Sequence, residues 1–108
     1  MAKKKNIGTE LVNAIVAYLT MRQKRMGYCF WRNNSGALRT MSGGFMRFGT
    51  PGSPDLIVIK DGYFIGLEAK AGSGRQSPVQ KAFEKMIKDN GGEYYVIRSV
   101  DDLKEIGL

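Results

Sequence analysis

The sequence predicts a small α/β fold, a mixed β-sheet flanked by helices in the order α-β-β-β-α-β-α. Three observations predict it. Apolar residues recur at helical spacing over residues 9–25, two apolar runs flank an Asp-Gly pair at 61–62, and a helix-capping pattern at 77–80 precedes a strand-like run. A chain of 108 residues is long enough for one domain, 1–108, with a modest core.

The first element is a helix over residues 9–25, with Thr9 as its N-cap. Its apolar stripe is centred on Ile15, and Glu10 lies on the flank of that stripe, beside small side chains. Residues 1–7 are basic, and we expect them to form a flexible N-terminus.

Between this helix and the Asp-Gly pair, aromatic residues predict a strand at 28–32. Residues 33–44 have the composition of a loop, and "FMRF" at 45–48 is a candidate short strand. We expect three aromatic residues to belong to the core rather than to stack on nucleic-acid bases, namely Trp31, Phe45 and Phe48.

The Asp-Gly pair predicts a tight hairpin, because a type I′ turn needs φ > 0 at both central positions. With Asp61 and Gly62 in that turn, the register is fixed. The predicted pairs are Lys60–Tyr63, Ile59–Phe64, Val58–Ile65, Ile57–Gly66 and Leu56–Leu67. The next pair is Asp55 with Glu68, and Lys70 falls on the same face as Glu68 because side chains alternate along a strand.

Two carboxylates directly opposite each other destabilise a sheet unless a cation lies between them. A divalent metal such as Mg²⁺, which prefers oxygen ligands, would resolve the conflict between Asp55 and Glu68. The alternative is a solvated hairpin end in which Lys70 forms an ion pair with one of the acids. Spacing alone leaves both interpretations open.

The capping pattern predicts a helix that begins after Ser77, with Pro78 at its first position and Gln80 completing a capping box. Its apolar face is Val79, Phe83, Met86 and Ile87. A strand, "EYYVIR" at 93–98, and a short capped helix within 99–108 follow.

The net charge and the composition limit the class of binding partner and the types of catalytic chemistry that this chain can have. Lysine and arginine number 17 against 10 acids, a formal charge of +7, which favours a polyanion such as nucleic acid. Histidine is absent, so zinc fingers with His ligands, HNH-type nucleases and Ser–His–Asp hydrolases are excluded. For each basic residue taken alone, a solvated charge is the simpler interpretation; the candidate phosphate contacts are Arg32, Arg39, Arg47, Lys60, Arg75 and Lys81.

The remaining features concern the cellular compartment. Cys29 is the only cysteine, so it forms no internal disulfide; we expect it to be half-buried in a protein of a reducing compartment. Glu10 and Asn13 interrupt the N-terminal apolar stretch, and no run approaches the ~20 apolar residues of a membrane span. We therefore expect a cytoplasmic protein without a signal peptide or membrane segment.

Four short motifs occur in a characteristic order: Glu10, "GSPD" ending in Asp55, "EAK" at 68–70 and "SPVQ" ending in Gln80. In this order the chain resembles the VRR-NUC branch of the PD-(D/E)xK nucleases, in particular short stand-alone members from phages and prophages. The resemblance implies a restriction-endonuclease-like core and Mg²⁺- or Mn²⁺-dependent cleavage of DNA. The expected substrate is branched DNA such as four-way Holliday junctions, the expected assembly a homodimer, and the expected location a bacterial host cell.

The resemblance also assigns roles to residues. Asp55 and Glu68 would hold the metal with the backbone carbonyl of Ala69, and Lys70 would position the attacking water. Glu10 would reach the metal from the first helix, although it could be only a first-turn acid favoured by the helix dipole. Gln80 would fix the lysine or a phosphate, although it could serve only the capping box. The expected DNA contacts are Arg32, Asn33, Asn34, Arg39, Arg47, Ser53, Arg75 and Lys81.

Two functions remain. The first is a metal-dependent, structure-selective endonuclease. The second is a non-catalytic DNA-binding module or a nuclease-fold subunit of a helicase or repair complex. The facing acids favour the enzyme, because in a pure binder they would repel the phosphates.

The sequence also indicates assembly. Apolar residues around a glycine-rich loop exceed what a small core can absorb, and they are Met26, Met41, Phe45, Met46 and Phe48. They predict a two-fold homodimer, in which the loop at 41–52 could cross to the partner.

Overall fold

The computed structural model describes residues 7–108. The predicted flexible N-terminus, 1–7, lies outside this range except for Ile7. The elements, in chain order, are α1 (Ile7–Met26), β1 (Tyr28–Arg32), β2 (Gly36–Arg39), β3 (Phe45–Phe48), β4 (Leu56–Lys60), β5 (Tyr63–Ala69), α2 (Pro78–Asp89), β6 (Glu93–Ile97) and α3 (Val100–Glu105).

Four strands form one mixed sheet in the order β1-β4-β5-β6. The first three are antiparallel neighbours, and β6 joins β5 in parallel. Strands β2 and β3 pair only with each other, as a separate two-stranded hairpin. The predicted α/β class with helices on a small mixed sheet is confirmed. The prediction of a loop over 33–44 is wrong at Gly36–Arg39, because a strand that is exposed along its whole length has no alternation of apolar and polar residues to reveal it.

The central hairpin has the predicted register at all five pairs, from Lys60–Tyr63 to Leu56–Leu67. Asp61 and Gly62 have φ angles of 53° and 80°, as a type I′ turn requires. The turn therefore determines which side chains face each other at the far end of both strands.

One face of the sheet carries the core. Helices α1 and α3 cover it, and the buried cluster joins Ile15 and Leu19 of α1 to Leu56, Leu67 and other strand residues. The predicted stripe around Ile15 is confirmed. Thr9 is not the N-cap, because the helix already includes Ile7 and an N-cap residue has non-helical backbone angles.

Helix α2 lies on the opposite face, where it packs against β6. On β5 this face carries Phe64, Gly66 and Glu68. These residues contact α2, strand β6 and the loop that precedes β4. Alternation along β5 thus gives the apolar core to one face and the acid Glu68 to the other.

Three residues predicted for the core are exposed: Trp31 by 47%, Phe45 by 69% and Phe48 by 39%. Phe45 and Phe48 belong to the β2–β3 hairpin, which packs against no other helix or strand in the described part of the chain. Trp31 belongs to the edge strand β1, which α2 does not reach. Cys29 lies on the same face of that strand, and it is exposed rather than half-buried.

No helix within residues 7–108 is long and apolar enough to cross a membrane.

Candidate active site

The candidate site lies where β4 begins and β5 ends. The ladder extends to Leu56–Leu67, so Asp55 and Glu68 occupy the next opposed positions. The backbone N–H of Ala69 donates to Asp55 Oδ2 at 2.7 Å, which orients this carboxylate across the two strands. The Asp61-Gly62 turn sets this opposition, because it fixes the register in which the two strands pair.

Glu68 is buried, with only 2% of its surface exposed. Gln80 Nε2 donates to its Oε1 at 3.0 Å, and the Tyr94 hydroxyl donates to its Oε2 at 3.1 Å. Lys70 forms no ion pair with either acid within residues 7–108. These contacts exclude a solvated hairpin end closed by a lysine ion pair.

The environment disfavours a charge on Glu68. Burial, then the charge of Asp55 and a hydrogen bond with it, raise the pKa of Glu68 to about 8, against smaller opposing effects of the Tyr94 hydrogen bond and the Lys70 charge. Burial, followed by the nearby Glu68, also raises the pKa of Tyr94, which keeps this hydroxyl protonated as a donor. Glu68 is therefore largely ionised near neutral pH only if a cation compensates its charge.

The floor of the site depends on a glycine. A Cβ at Gly66 would lie 2.8 Å from Pro54 Cγ and 3.3 Å from Tyr94 Cδ2. Only a residue without a side chain lets Pro54 and Tyr94 close over the strand from both sides. Pro54 is buried by this packing, and Asp55 follows it directly in the chain.

The first turn of α2 completes the site. Gln80 Oε1 accepts from the Ser77 N–H at 2.9 Å, and the Gln80 N–H donates to Ser77 Oγ at 3.3 Å, so the predicted capping box is confirmed. The same Gln80 side chain holds Glu68 through its amide nitrogen. The sequence predicted a contact with the lysine or a phosphate, and the structure places Gln80 against the acid instead.

Lys70 directly follows β5, and its backbone N–H donates to Ile97 O at 3.0 Å. Arg98 Nη1 donates to Gly72 O at 3.0 Å and to Lys70 O at 3.5 Å, which fixes the turn that carries the lysine. The charge of Lys70 is close enough to Glu68 to oppose the rise of its pKa.

Glu10 is exposed in the first turns of α1. Within the described residues, no three acidic or cysteine side chains form a group that could hold a metal. The oxygen ligands brought together are therefore those of two acids, Asp55 and Glu68. Two carboxylates fit Mg²⁺, which binds through one or two of them and completes its shell with water and substrate phosphates.

The predicted DNA contacts divide into two groups. Asn33 and Ser53 are engaged internally, since Asn33 Nδ2 donates to Ser53 Oγ and to Pro54 O, both at 2.9 Å. They join the end of β1 to the segment that leads into Asp55. The others are exposed: Arg32, Asn34, Arg39, Arg47, Arg75 and Lys81.

Sequence reasoning did not find Tyr94 or Arg98. Tyr94 lies opposite Gly66 in the parallel pair β5–β6, so it reaches Glu68 only through a pairing between distant segments. The available signal was the tyrosine-rich strand at 93–98 together with a glycine in the facing strand.

No protein-family model and no curated protein matches the chain. A solved structure titled "VRR_NUC domain" superposes with a TM-score of 0.61 at 20% sequence identity, covering 87% of this chain and 90% of that chain. The chain has the fold of a VRR-NUC domain. The family resemblance inferred from the four motifs is thus supported by a VRR-NUC fold over most of the chain.

Proposed function

We propose that this protein is a divalent-metal-dependent endonuclease that hydrolyses DNA phosphodiester bonds. The observation that carries the proposal is the buried Glu68 facing Asp55, with Lys70 beside the pair. A fold without chemistry to perform gains nothing from a buried acid opposite a second acid, because like charges across a sheet are destabilising. The VRR-NUC fold is a nuclease-domain fold, which agrees with this chemistry.

Asp55 and Glu68 would hold Mg²⁺ together with the Ala69 carbonyl, with Mn²⁺ as a substitute. When bound, the metal supplies positive charge that offsets the developing phosphate charge and lowers the pKa of water.

The chain's own groups hold this arrangement. The Ala69 N–H orients Asp55, while Gln80 and Tyr94 fix both oxygens of Glu68. Lys70, on the turn held by Arg98, would orient the attacking water or stabilise charge on the phosphate. Each donor is already positioned, so little reorganisation accompanies the reaction.

Branched DNA, such as a four-way junction, is the proposed substrate, and a two-fold homodimer the proposed assembly. Two opposed cuts require two sites, and each chain has one acid pair. Exposed apolar residues of the β2–β3 hairpin support a contact between copies, and they include Leu38, Met46 and Phe48. Sedimentation at micromolar concentration should give twice the chain mass; a 12 kDa species that still resolves junctions would contradict the dimer.

The test of the function is cleavage of labelled four-way junction, duplex and single-stranded DNA, with Mg²⁺ or with EDTA. We expect cleavage with Mg²⁺ only, fastest on the junction.

Asp55→Asn should abolish cleavage and leave DNA binding unchanged or tighter, because a negative charge is lost. Lys70→Ala should lose most of the rate and keep metal binding. Junction binding without cleavage in any metal would instead indicate a non-catalytic DNA-binding module.

A further inference from the structure

The β2–β3 hairpin is an ordered projection that the proposed mechanism does not use. It is inserted between β1 and β4, and it packs against no other helix or strand within residues 7–108. Its turn is nevertheless fixed by hydrogen bonds, since the Thr40 N–H donates to Gly44 O at 2.8 Å and the Gly44 N–H donates to Thr40 Oγ1 at 3.0 Å. The hairpin therefore presents its side chains in a defined geometry.

The register gives this hairpin two chemically different faces. The pairs are Gly36–Phe48, Ala37–Arg47, Leu38–Met46 and Arg39–Phe45. Opposed residues share a face and successive pairs alternate. Leu38, Met46 and Phe48 form an apolar face. Arg39, Phe45 and Arg47 form the other, which we name the arginine face.

The arginine face combines two cationic side chains with an exposed aromatic ring, which suits a polyanion that itself has aromatic rings. The Arg39 guanidinium lies over the Phe45 ring, 5.5 Å from its centroid, and 69% of Phe45 is exposed, so most of the ring is accessible. No carboxylate within residues 7–108 forms a salt bridge with Arg39 or Arg47. The sequence contains no acidic residue at all from 11 to 54.

The base of the hairpin is attached to the candidate site. The Asn33 N–H donates to Asp55 O at 2.8 Å, and the Asn33–Ser53 hydrogen bond closes the base. Gly52 packs on the first turn of α2, where a Cβ would lie 2.6 Å from Val79 O. The Arg39–Phe45 pair is three residues from the base, about 10 Å along the strands. The arginine face is thus joined, through the base of the hairpin, to the segment that carries Asp55.

We propose that the arginine face binds unpaired nucleotides next to the cleaved phosphate, with a base stacked on Phe45 and phosphates held by Arg39 and Arg47. The proposal rests on the proposed function and deepens it, because it assigns the recognition of branched DNA to exposed bases. Stacking on aromatic side chains together with cationic phosphate contacts is how proteins bind single strands without reading sequence. Fully paired DNA offers no free base face, so stacking on Phe45 discriminates unpaired nucleotides from paired DNA.

The experiment compares two DNA duplexes in EDTA, which blocks cleavage: one carries an unpaired bulge with 2-aminopurine, and the other is fully paired. Phe45→Leu should weaken binding of the bulged duplex roughly 5- to 100-fold and remove the change in 2-aminopurine emission. Binding of the paired duplex should not change. Phe45→Tyr, which keeps the ring, should behave as the wild type. Tyr63→Leu removes a similarly exposed ring beside the Asp61-Gly62 turn; it is the matched control and should also behave as the wild type.

Unchanged binding of the bulged duplex by Phe45→Leu would overturn the proposal while leaving the nuclease function intact. An equal loss on both duplexes would also overturn it, because the ring would then not select unpaired bases. A wild-type protein that binds neither duplex and cleaves no DNA would overturn the proposed function itself.

Discussion

Glu68 is the residue on which the proposed metal site depends. It is buried opposite Asp55, and two neutral donors, Gln80 and Tyr94, hold its oxygens without supplying charge. Hydrogen bonds of this kind orient a ligand acid but do not neutralise it. The missing positive charge is what a bound cation would add.

Tyr94 provides a test of this orientation. Tyr94→Phe removes one donor to Glu68 and leaves the ring packed on Gly66, so the fold should be kept. We expect Mg²⁺ affinity to fall about 10- to 100-fold, as for other residues that orient metal ligands. Tyr95→Phe is the control, because the Tyr95 hydroxyl donates to Glu93, two residues earlier in β6 and away from the site. Equal metal affinities of the two variants in calorimetry would refute the role of Tyr94.

Glu68 should also make the metal-free protein sensitive to pH. Its pKa is about 8 in the folded chain against an ordinary 4.5, so between these values the folded state binds one more proton than the unfolded state. Stability therefore falls as pH rises through this window, by at most about 1.4 kcal/mol per pH unit, and levels off above it. Urea unfolding in EDTA should show this slope in the wild type and a flatter one in Glu68→Gln. A wild-type stability that rises from pH 5 to 8 relative to Glu68→Gln would contradict the buried acid.

At the scale of elements, local chemistry made much of the site predictable. The Asp61-Gly62 turn determined the hairpin register, and "SPVQ" determined the capping box, because both depend on residues close in the chain. The Tyr94 contact was not predictable in the same way, since it requires β6 to join β5 in parallel. The hairpin strand β2 was missed because it begins with Gly-Ala and buries neither face.

Gly66 tests whether close packing of elements builds the site. Gly66→Ala forces a methyl group against Pro54 and Tyr94, and it should destabilise the fold by about 1–3 kcal/mol. Gly44→Ala is the matched control, because the new Cβ would meet only Thr40 Oγ1, at 3.4 Å. Urea unfolding of both variants measures the difference. Equal stabilities would show that the approach of Pro54 to the strand is not needed.

At the scale of the whole molecule, charge is unevenly distributed along the chain. The single acid before Asp55 is Glu10, whereas basic residues occur throughout. The exposed cations include Arg39 and Arg47 of the arginine face and Lys81 in the first turns of α2. A DNA strand could therefore be held by cations around a site that itself carries two acids.

This distribution predicts a strong salt dependence of DNA binding. If several cations contact phosphates, log K should fall with log salt by about 0.9 per contact on duplex DNA. Arg47→Gln should reduce the steepness of that slope by about 0.9, the contribution of one phosphate contact. Fluorescence anisotropy in EDTA at increasing KCl gives the slope; a flat dependence for the wild type would argue against a DNA partner.

Whether Asp55 and Glu68 form a metal site is tested most directly by metal binding itself, measured by the EPR signal of free Mn²⁺ as protein is added. We expect the wild type to remove Mn²⁺ from solution, Mg²⁺ to displace it, and Asp55→Asn and Glu68→Gln each to lose this binding. Glu84→Gln, a change on α2 at an acid that pairs with Lys88, should bind as the wild type does. Wild-type Mn²⁺ binding by Glu68→Gln, or none by the wild type, would contradict a metal site built from this pair of acids.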